Sequence, residues 1–412
     1  MTQHRQCRFC GSPLSLSFAD LGMSPLSNAY LKPGQLSKME PFYPLHAWVC
    51  ESCFLVQLEE FESPEHIFSD YAYFSSFSDS WLDHARRFTD QVAKRFALDA
   101  SSFVVEIASN DGYLLQYFVS RGVPVLGIEP AANVAAEAER KGVPTLVKFF
   151  GTRTALDLKA AGKQVDLLIG NNVLAHVPGL NDFVAGMEIL LKPGGVISME
   201  FPHLLRLMEE NQFDTIYHEH FSYFSFLVVE RVFAKHGLTI FDMEEIPTHG
   251  GSLRIFAKRA SNSALPVAER VSALRRREQA AGLDHADTYR AFAERVKATK
   301  RLLLRFLIDA REAGKHVVGY GAPAKGNTLL NYCGVRTDLL EYTVDRSPHK
   351  QGHFLPGTHI PVYAPEKIRE TRPDYVLILP WNLKNEIVEQ MAEVRSWGGK
   401  FVVPIPQVKV LD

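Results

Sequence analysis

Between Asp214 and Ser225 the chain reads DTIYHEHFSYFS, setting Tyr217, His218, Glu219 and His220 side by side and following them with Phe221, Tyr223 and Phe224. A polar quartet against an aromatic wall suits proton transfer. Histidine titrates near ~6.5 when unperturbed, so it takes or gives a proton at cellular pH. Burial beside the rings lowers that value and a neighbouring carboxylate raises it. The same residues also suit a loop of hydrogen-bonded core groups, because structural networks perturb side chains too. The other segments must decide between these readings.

A second chemical signal lies near the N-terminus. Cys7-Arg8-Phe9-Cys10 and Cys50-Glu51-Ser52-Cys53 are two CxxC knuckles. Each aims two thiolates at one metal, and together they make a closed tetrahedral sulfur site for Zn²⁺ with no position open to water, hence structural. The stretch between them is rich in proline and reads as loop held by that staple. The fifth cysteine, Cys333, reads as a buried thiol.

The third signal is a set of polar loops at strand ends. Phe103–Ile107 is a short apolar run followed by Ala108-Ser109-Asn110-Asp111-Gly112, with a helix expected from Tyr113. Val125–Ile128 follows and ends in Glu129, and Val165–Ile169 ends at Gly170-Asn171-Asn172. Polar loops at the carboxyl ends of strands are where doubly wound sheets bind ligands, and an acid about 20 residues past the first loop suits a ribose diol. The loop is not GxGxxG, because Ala108 stands where the first glycine would be. Strand Val196–Met199 follows the turn Lys192–Gly195, and Leu238–Met243 and Leu253–Ala257 lie close enough for an antiparallel pair. In the last hundred residues, His316–Ala322 reads as strand and glycine turn, and Pro323-Ala324-Lys325-Gly326-Asn327 opens a helix. Amides at a helix N-terminus plus a lysine make an anion site.

These parts need an α/β frame of several domains. The boundaries expected are a zinc-binding module over 1–70, a core over 71–260, a helical connector over 261–312 and a second Rossmann-like unit over 313–412. Trp81, Leu82, Ala85, Phe88, Val92 and Phe96 fall at helical spacing and lead into the core. Arg275-Arg276-Arg277 reads as a solvated face. With 412 residues, 46% apolar, 22% charged and a net charge of −2, the chain has no basic field for nucleic acid. It has no ~20-residue apolar run to span a membrane. The N-terminal residues lack the apolar core of a secretory signal, so a cytoplasmic protein is expected, with cysteines serving as ligands or thiols and not as disulfides.

Taken in order, the CxxC pair, the Tyr-x-Tyr-x-Ser-Ser segment ending at Ser76, Glu-Ile-Ala-Ser-Asn-Asp-Gly at 106–112, Asn172-Val173-Leu174-Ala175-His176, the Tyr217–His220 quartet and Gly319-Tyr320-Gly321-Ala322 with Lys325 resemble the nucleotide-sugar C-methyltransferases, notably the C3-methyltransferases of deoxysugar pathways. The resemblance spans nearly the whole chain. It implies a class I S-adenosylmethionine-dependent methyltransferase core between the zinc module and a Rossmann-like C-terminal domain, with the active site between lobes. Asn110, Gly112 and Glu129 take the methionine and ribose portions, with Glu106 and Asn172 completing the cofactor set. The substrate implied is a TDP- or GDP-linked 4-keto-6-deoxy sugar, gripped through its diphosphate by Tyr320, Gly321, Ala322, Lys325 and Asn327. Carbon methylation beside a ketone needs a base for the C–H and donors for the carbonyl oxygen. His220 is the expected base, with Glu219 orienting it or setting its charge and Tyr217 assisting, either in proton transfer or by donating to the oxyanion, and with His176, Asn172 and Tyr73 facing the cofactor mouth. A nicotinamide-dependent nucleotide-sugar epimerase or dehydrogenase is the alternative enzyme, and a zinc-knuckle RNA-binding module the non-enzymatic one. Nucleotide base, sugar stereochemistry, the methylated carbon beyond the family expectation of C3, oligomeric state and which of His220 and Tyr217 is the base are left open.

Overall fold

The computed structural model describes residues 5–63, 75–77 and 79–411. The segment between the CxxC pairs, expected to be loop, holds two strands. Leu16–Ser24 (β1) and Tyr43–Val49 (β2) pair antiparallel, and Val56–Leu58 (β3) pairs with β2. Leu45, Ala47 and Val49 alternate inward, the period-two pattern of a half-buried strand that the prolines obscure in sequence.

The helix Asp79–Arg95 follows, burying Ala85, Phe88 and Val92 and carrying Asp79 in its first turn and Lys94 and Arg95 in its last, which suits the helix dipole. The chain then lays down Val104–Ile107 (β4), Val125–Ile128 (β5), Thr145–Leu146 (β6), Val165–Asn171 (β7), Leu191–Pro202 (β8), Ser222–Tyr223 (β9), Leu238–Ile246 (β10) and Ser252–Arg259 (β11). Seven of these form one sheet in the order β10-β11-β8-β7-β4-β5-β6. All run parallel except β11, which is antiparallel to both neighbours. β4 and β5 are buried at every residue, as strands covered on both faces must be. The strand expected from Val196 begins at Leu191, because Val165 already pairs with Leu191 and the register shift that follows absorbs the Pro-Gly-Gly turn.

β9 is the exception to this sheet. It pairs with β3, Val56 opposite Tyr223, and becomes the fourth strand of the zinc module in the order β1-β2-β3-β9.

The connector is two helices, Glu269–Ala280 and Ala286–Glu312. The second packs on β1, with the Phe292 ring stacked on Phe18 at 4.5 Å and Tyr289 edge-on at 6.1 Å, so it is core and not spacer. The first carries the fully buried Glu278, whose carboxylate accepts from the Phe226 and Leu227 amides (2.7 and 2.9 Å) at the start of the helix Phe226–Lys235 and from His203 Nε2 (2.6 Å). Arg275 and Arg277 pair with Glu230 and Glu245.

The last unit contains Val317–Tyr320 (β12), Thr343–Val344 (β13), Val362–Tyr363 (β14), Tyr375–Ile378 (β15), Lys400–Val403 (β16) and Lys409–Leu411 (β17) in the order β14-β13-β12-β15-β16-β17. Only β17 is antiparallel. Both doubly wound sheets open a crevice where strand order reverses, beyond β4 and beyond β12.

Candidate active site

A cleft of about 720 Å³ lies beyond the carboxyl end of β4 and is walled by all three modules. Its floor is the loop after β4, where Ala108 (φ 54°), Asn110 (φ 49°) and Gly112 (φ 75°) all take left-handed backbone, as does Asn172 (φ 54°) just past β7. Asparagine tolerates that region and alanine does not, so Ala108 marks strain stored at a binding loop. Glu129 ends β5 and lines the cleft; the amides of Asn110 (3.0 Å) and Ala131 (2.9 Å) donate to its two oxygens. Burial raises its pKa while those two amides oppose the shift. Ile128, Pro130, Phe149 and Phe150 form an apolar slot beside it. Glu129, Asn110 and Asn172 thus face the cleft as expected, but Glu106 and Gly112 do not. Glu106 is fully buried beside Tyr113 beneath the loop, and burial drives its pKa well up. Gly112 is needed for packing: a Cβ there would meet Val143 at 3.0 Å.

His220 and Tyr217 stand on the opposite wall, their rings 4.1 Å apart, and His176 meets His220 edge-on at 4.7 Å. The Thr215 carbonyl accepts from His220 Nδ1 at 3.0 Å. That fixes the tautomer and leaves Nε2 as the acceptor, the atom a general base needs. Burial, then His176, holds the His220 pKa well below the usual imidazole value. Burial lowers His176 to about 4. Both rings are therefore neutral near pH 7. Glu219 was expected to orient His220, and the structure corrects this: the Thr215 carbonyl occupies Nδ1, while Glu219 Oε1 accepts from Asn28 Nδ2 (2.8 Å) of the N-terminal module. Glu219 still lines the cleft, and burial raises its pKa. His218 points into the N-terminal module, its Nε2 3.3 Å from the Pro44 carbonyl. Tyr73 lies outside the described residues.

The segment carrying these groups is clamped from three sides. β9 stitches its end to β3. The Phe221 amide donates to the Ala175 carbonyl of the core (2.7 Å). On the third side Thr328 Oγ donates to the Ile216 carbonyl (3.1 Å) and Trp381 Nε1 to the buried Asp214 (2.7 Å), both from the C-terminal unit.

Of the C-terminal residues expected to grip substrate, Lys325 alone lines the cleft. Its ammonium sits 4.5 Å over the Trp381 ring and donates to Asn382 (2.8 Å). Burial lowers its pKa and Asp214 opposes that; Asp214 itself is pushed up to about 6 by burial. The other four have packing tasks. Gly321 (φ 87°) leaves no room for a Cβ, which would meet Pro380 at 2.5 Å. The Ala322 amide donates to Asp345 and its carbonyl is covered by Tyr30 and Lys350. Asn327 donates to the Ser27 carbonyl (2.6 Å), and the Tyr320 hydroxyl faces Gln390.

The four knuckle cysteines place their sulfurs within 4.8 Å of one another, with Cys7–Cys53 at 3.6 Å and Cys10–Cys50 at 3.4 Å. Zn–S bonds of ~2.3 Å set tetrahedral sulfurs about 3.8 Å apart, so the group fits zinc. Gln57 of β3 donates to Cys7 Sγ at 3.2 Å, tying the cluster to the sheet.

Residues 7–68 match a family model described as "Putative zinc binding domain", residues 81–242 one described as "Methyltransferase domain", and residues 247–406 one described as "C-methyltransferase C-terminal domain". The chain is 36% identical over 410 residues to the C-methyltransferase NovU of Streptomyces niveus, covering 99% of this chain and 97% of that one. The chain belongs to the C-methyltransferase family. A ubiquinone biosynthesis O-methyltransferase of Mesorhizobium japonicum is 27% identical over 116 residues, 26% of this chain and 47% of that one. Among solved structures, an S-adenosylmethionine-dependent methyltransferase of Clostridium acetobutylicum aligns with a TM-score of 0.36 at 12% identity, covering 44% of this chain and 92% of that chain. This C-methyltransferase uses S-adenosylmethionine and carries a structural zinc module, and the nicotinamide and RNA-binding alternatives fall away. The third family model begins at 247, yet β11 lies inside the core sheet, so that boundary cuts across one hydrogen-bonded layer. No described helix is long and apolar enough to cross a membrane.

Sequence reading missed several cleft residues. His249, in the turn between β10 and β11, is one of them. Trp81, whose spacing places it on the helix's apolar face, also lines the cleft, as do Asn28, Thr215 and Lys350. The one usable signal was His249 ahead of Gly250-Gly251, an imidazole in a turn that wants glycine.

Proposed function

We propose that this C-methyltransferase methylates C3 of a nucleotide-diphosphate-linked 4-keto-6-deoxy sugar through an enolate. The observation that carries this reading is the His220 tautomer. Its Nδ1–H is committed to the Thr215 carbonyl and its neutral Nε2 belongs to the cleft that Glu129 and Asn110 share. A neutral imidazole in an apolar wall suits removal of a weakly acidic proton beside a ketone. Oxygen or nitrogen methylation has no need of a base for a C–H.

His220 Nε2 takes the C3 proton, and the electron pair becomes the enolate. Tyr217, against the His220 ring, assists that proton transfer, and His176 holds the ring edge-on. Glu129 would hold the cofactor ribose, Asn110 and Asn172 its amino-acid end, and Phe149 and Phe150 its base. Bound S-adenosylmethionine supplies an electrophilic methyl on a sulfonium, so binding contributes most by holding the two carbons at near-attack distance. Lys325 and Lys350, on the cleft's C-terminal side, suit the diphosphate. Whether the nucleotide is TDP or GDP is read by mass spectrometry of products from a panel of NDP-4-keto-6-deoxyhexoses with labelled methyl donor.

The mechanism is tested by solvent deuterium entering C3 in D₂O with S-adenosylhomocysteine bound. The wild type exchanges and His220→Asn does not. Full exchange and methylation by His220→Asn would remove His220 from the role of base.

A further inference from the structure

The turn joining β10 to β11 holds three consecutive residues at positive φ: His249 (56°), Gly250 (92°) and Gly251 (115°). The two glycines have a steric reason. A Cβ on Gly250 would meet Gln212 and Trp381, and one on Gly251 would meet Arg206, each at 2.9 Å. His249 has no such reason to be there, and glycine would suit its backbone better. A strained non-glycine residue at a cleft is a pointer to function.

The turn is held in place. Thr248 Oγ donates to Glu200 Oε1 (3.0 Å), and Glu200 is fully buried and fixed by Arg254 (2.8 Å) and His84 (3.1 Å). Gln212 Nε2 donates to the Gly250 carbonyl (2.7 Å). This anchoring aims the imidazole into the cleft, where it lies edge-on to Trp81 at 5.6 Å and 3.2 Å from Asn172 Nδ2. With the Asn172 side-chain Nδ2 donating to Nε2, the His249 ring N–H is on Nδ1. His249 is also electrostatically coupled to His220, His176 and Lys325, so all four groups act on one volume.

Enolate formation places charge on the ketone oxygen, two bonds away from the carbon that loses its proton. A donor for that oxygen must stand apart from the base. Tyr217 lies against His220, the rings tilted by 34°, and belongs to the base's own wall. His249 comes from a different element and faces the same space. We propose that His249 is a catalytic residue, donating its ring N–H to the ketone oxygen as the enolate forms. The C–H proton moves to His220 Nε2, the C–H pair becomes the new double bond, and the carbonyl π pair moves to oxygen. His249 hydrogen-bonds that oxygen and keeps its proton. Desolvation in the cleft, then Lys325, lowers the His249 pKa, which keeps the ring neutral near pH 7. A neutral imidazole polarising a carbonyl is an established way of stabilising enolates.

The inference rests on the enolate reading above, and the experiment separates the two. Exchange of solvent deuterium into TDP-4-keto-6-deoxyglucose is followed with S-adenosylhomocysteine bound, for wild type, His249→Gly and His249→Asn. Glycine relieves the backbone and removes the ring. Asparagine tolerates the left-handed backbone and keeps an N–H donor. The result expected is exchange slowed about 10²–10³-fold in His249→Gly, the usual cost of losing one such donor. Partial recovery is expected in His249→Asn, with S-adenosylhomocysteine affinity and melting temperature unchanged in both. Wild-type exchange rates in His249→Gly overturn the assignment. Exchange that falls only in step with cofactor affinity, without recovery in His249→Asn, also overturns it and makes His249 part of the cofactor clamp. If the wild type itself does not exchange, the enolate reading fails and the role of His249 fails with it.

Discussion

Acid should loosen this enzyme through its active-site histidines, and His176 gives the magnitude. Its folded pKa is about 4, lowered by burial, against about 6.5 in the unfolded chain. The native state keeps the ring neutral while the unfolded chain binds a proton below about 6.5. The stabilisation is therefore complete above that value and is lost as pH falls toward 4. Each unit of the gap is worth ~1.4 kcal/mol, so going from about pH 7.5 to about pH 5 removes ~2 kcal/mol through His176 alone. His220 adds to the loss in the same direction. His249, which has more solvent access, is left out of the sum. The assay is urea unfolding of wild type and His176→Asn at both pH values. The wild type should lose about 2 kcal/mol more than the variant over this range. Equal losses in the two proteins would refute the argument, because they would mean that His176 titrates alike folded and unfolded. The same neutrality predicts that the acid limb of kcat/KM, set by the base, falls below the usual imidazole range.

Two further perturbations follow from the packing. Cys50→Ser should abolish zinc binding by elemental analysis and, because Gln57 and β3 link the cluster to β9, should also lower deuterium exchange at C3; a zinc-free, folded variant with full activity would refute the linkage. Glu278→Ala leaves two helix amides and His203 without their buried partner and should cost about 3–5 kcal/mol in chemical denaturation, with Glu278→Gln costing less; a loss below ~1 kcal/mol would show the carboxylate is dispensable.

The sequence disclosed what local spacing encodes. The knuckle cysteines, the strand-loop ends at Asn110, Glu129 and Asn172, and Tyr217, Glu219 and His220 of the quartet are each written in a few adjacent residues, and the structure brings them to a zinc cluster and one cleft. Partnerships between distant segments were not legible. Glu219 reaches Asn28 across 191 positions, and Asp214 meets Trp381 across 167. No periodicity marks such pairs. The same limit misled the assignment of the C-terminal glycine turn. Gly321 and Ala322 look like an anion loop, but Tyr30 and Lys350, from elsewhere in the chain, cover the Ala322 carbonyl, and of the five residues expected there Lys325 faces the cleft. Glu106 looked like a ligand because it precedes the right loop, yet its place on a strand buried on both faces turns it inward.

Ser222–Tyr223 belongs by sequence to the methyltransferase and by hydrogen bonding to the zinc sheet. Trimming the first sixty residues would therefore bare a strand edge right beside the base, inviting self-association where the substrate should enter. Chimeras between relatives inherit the same restriction. A transplanted N-terminal module must arrive with its own copy of the 213–223 segment, or the hybrid will be assembled from parts that meet at an unmatched seam.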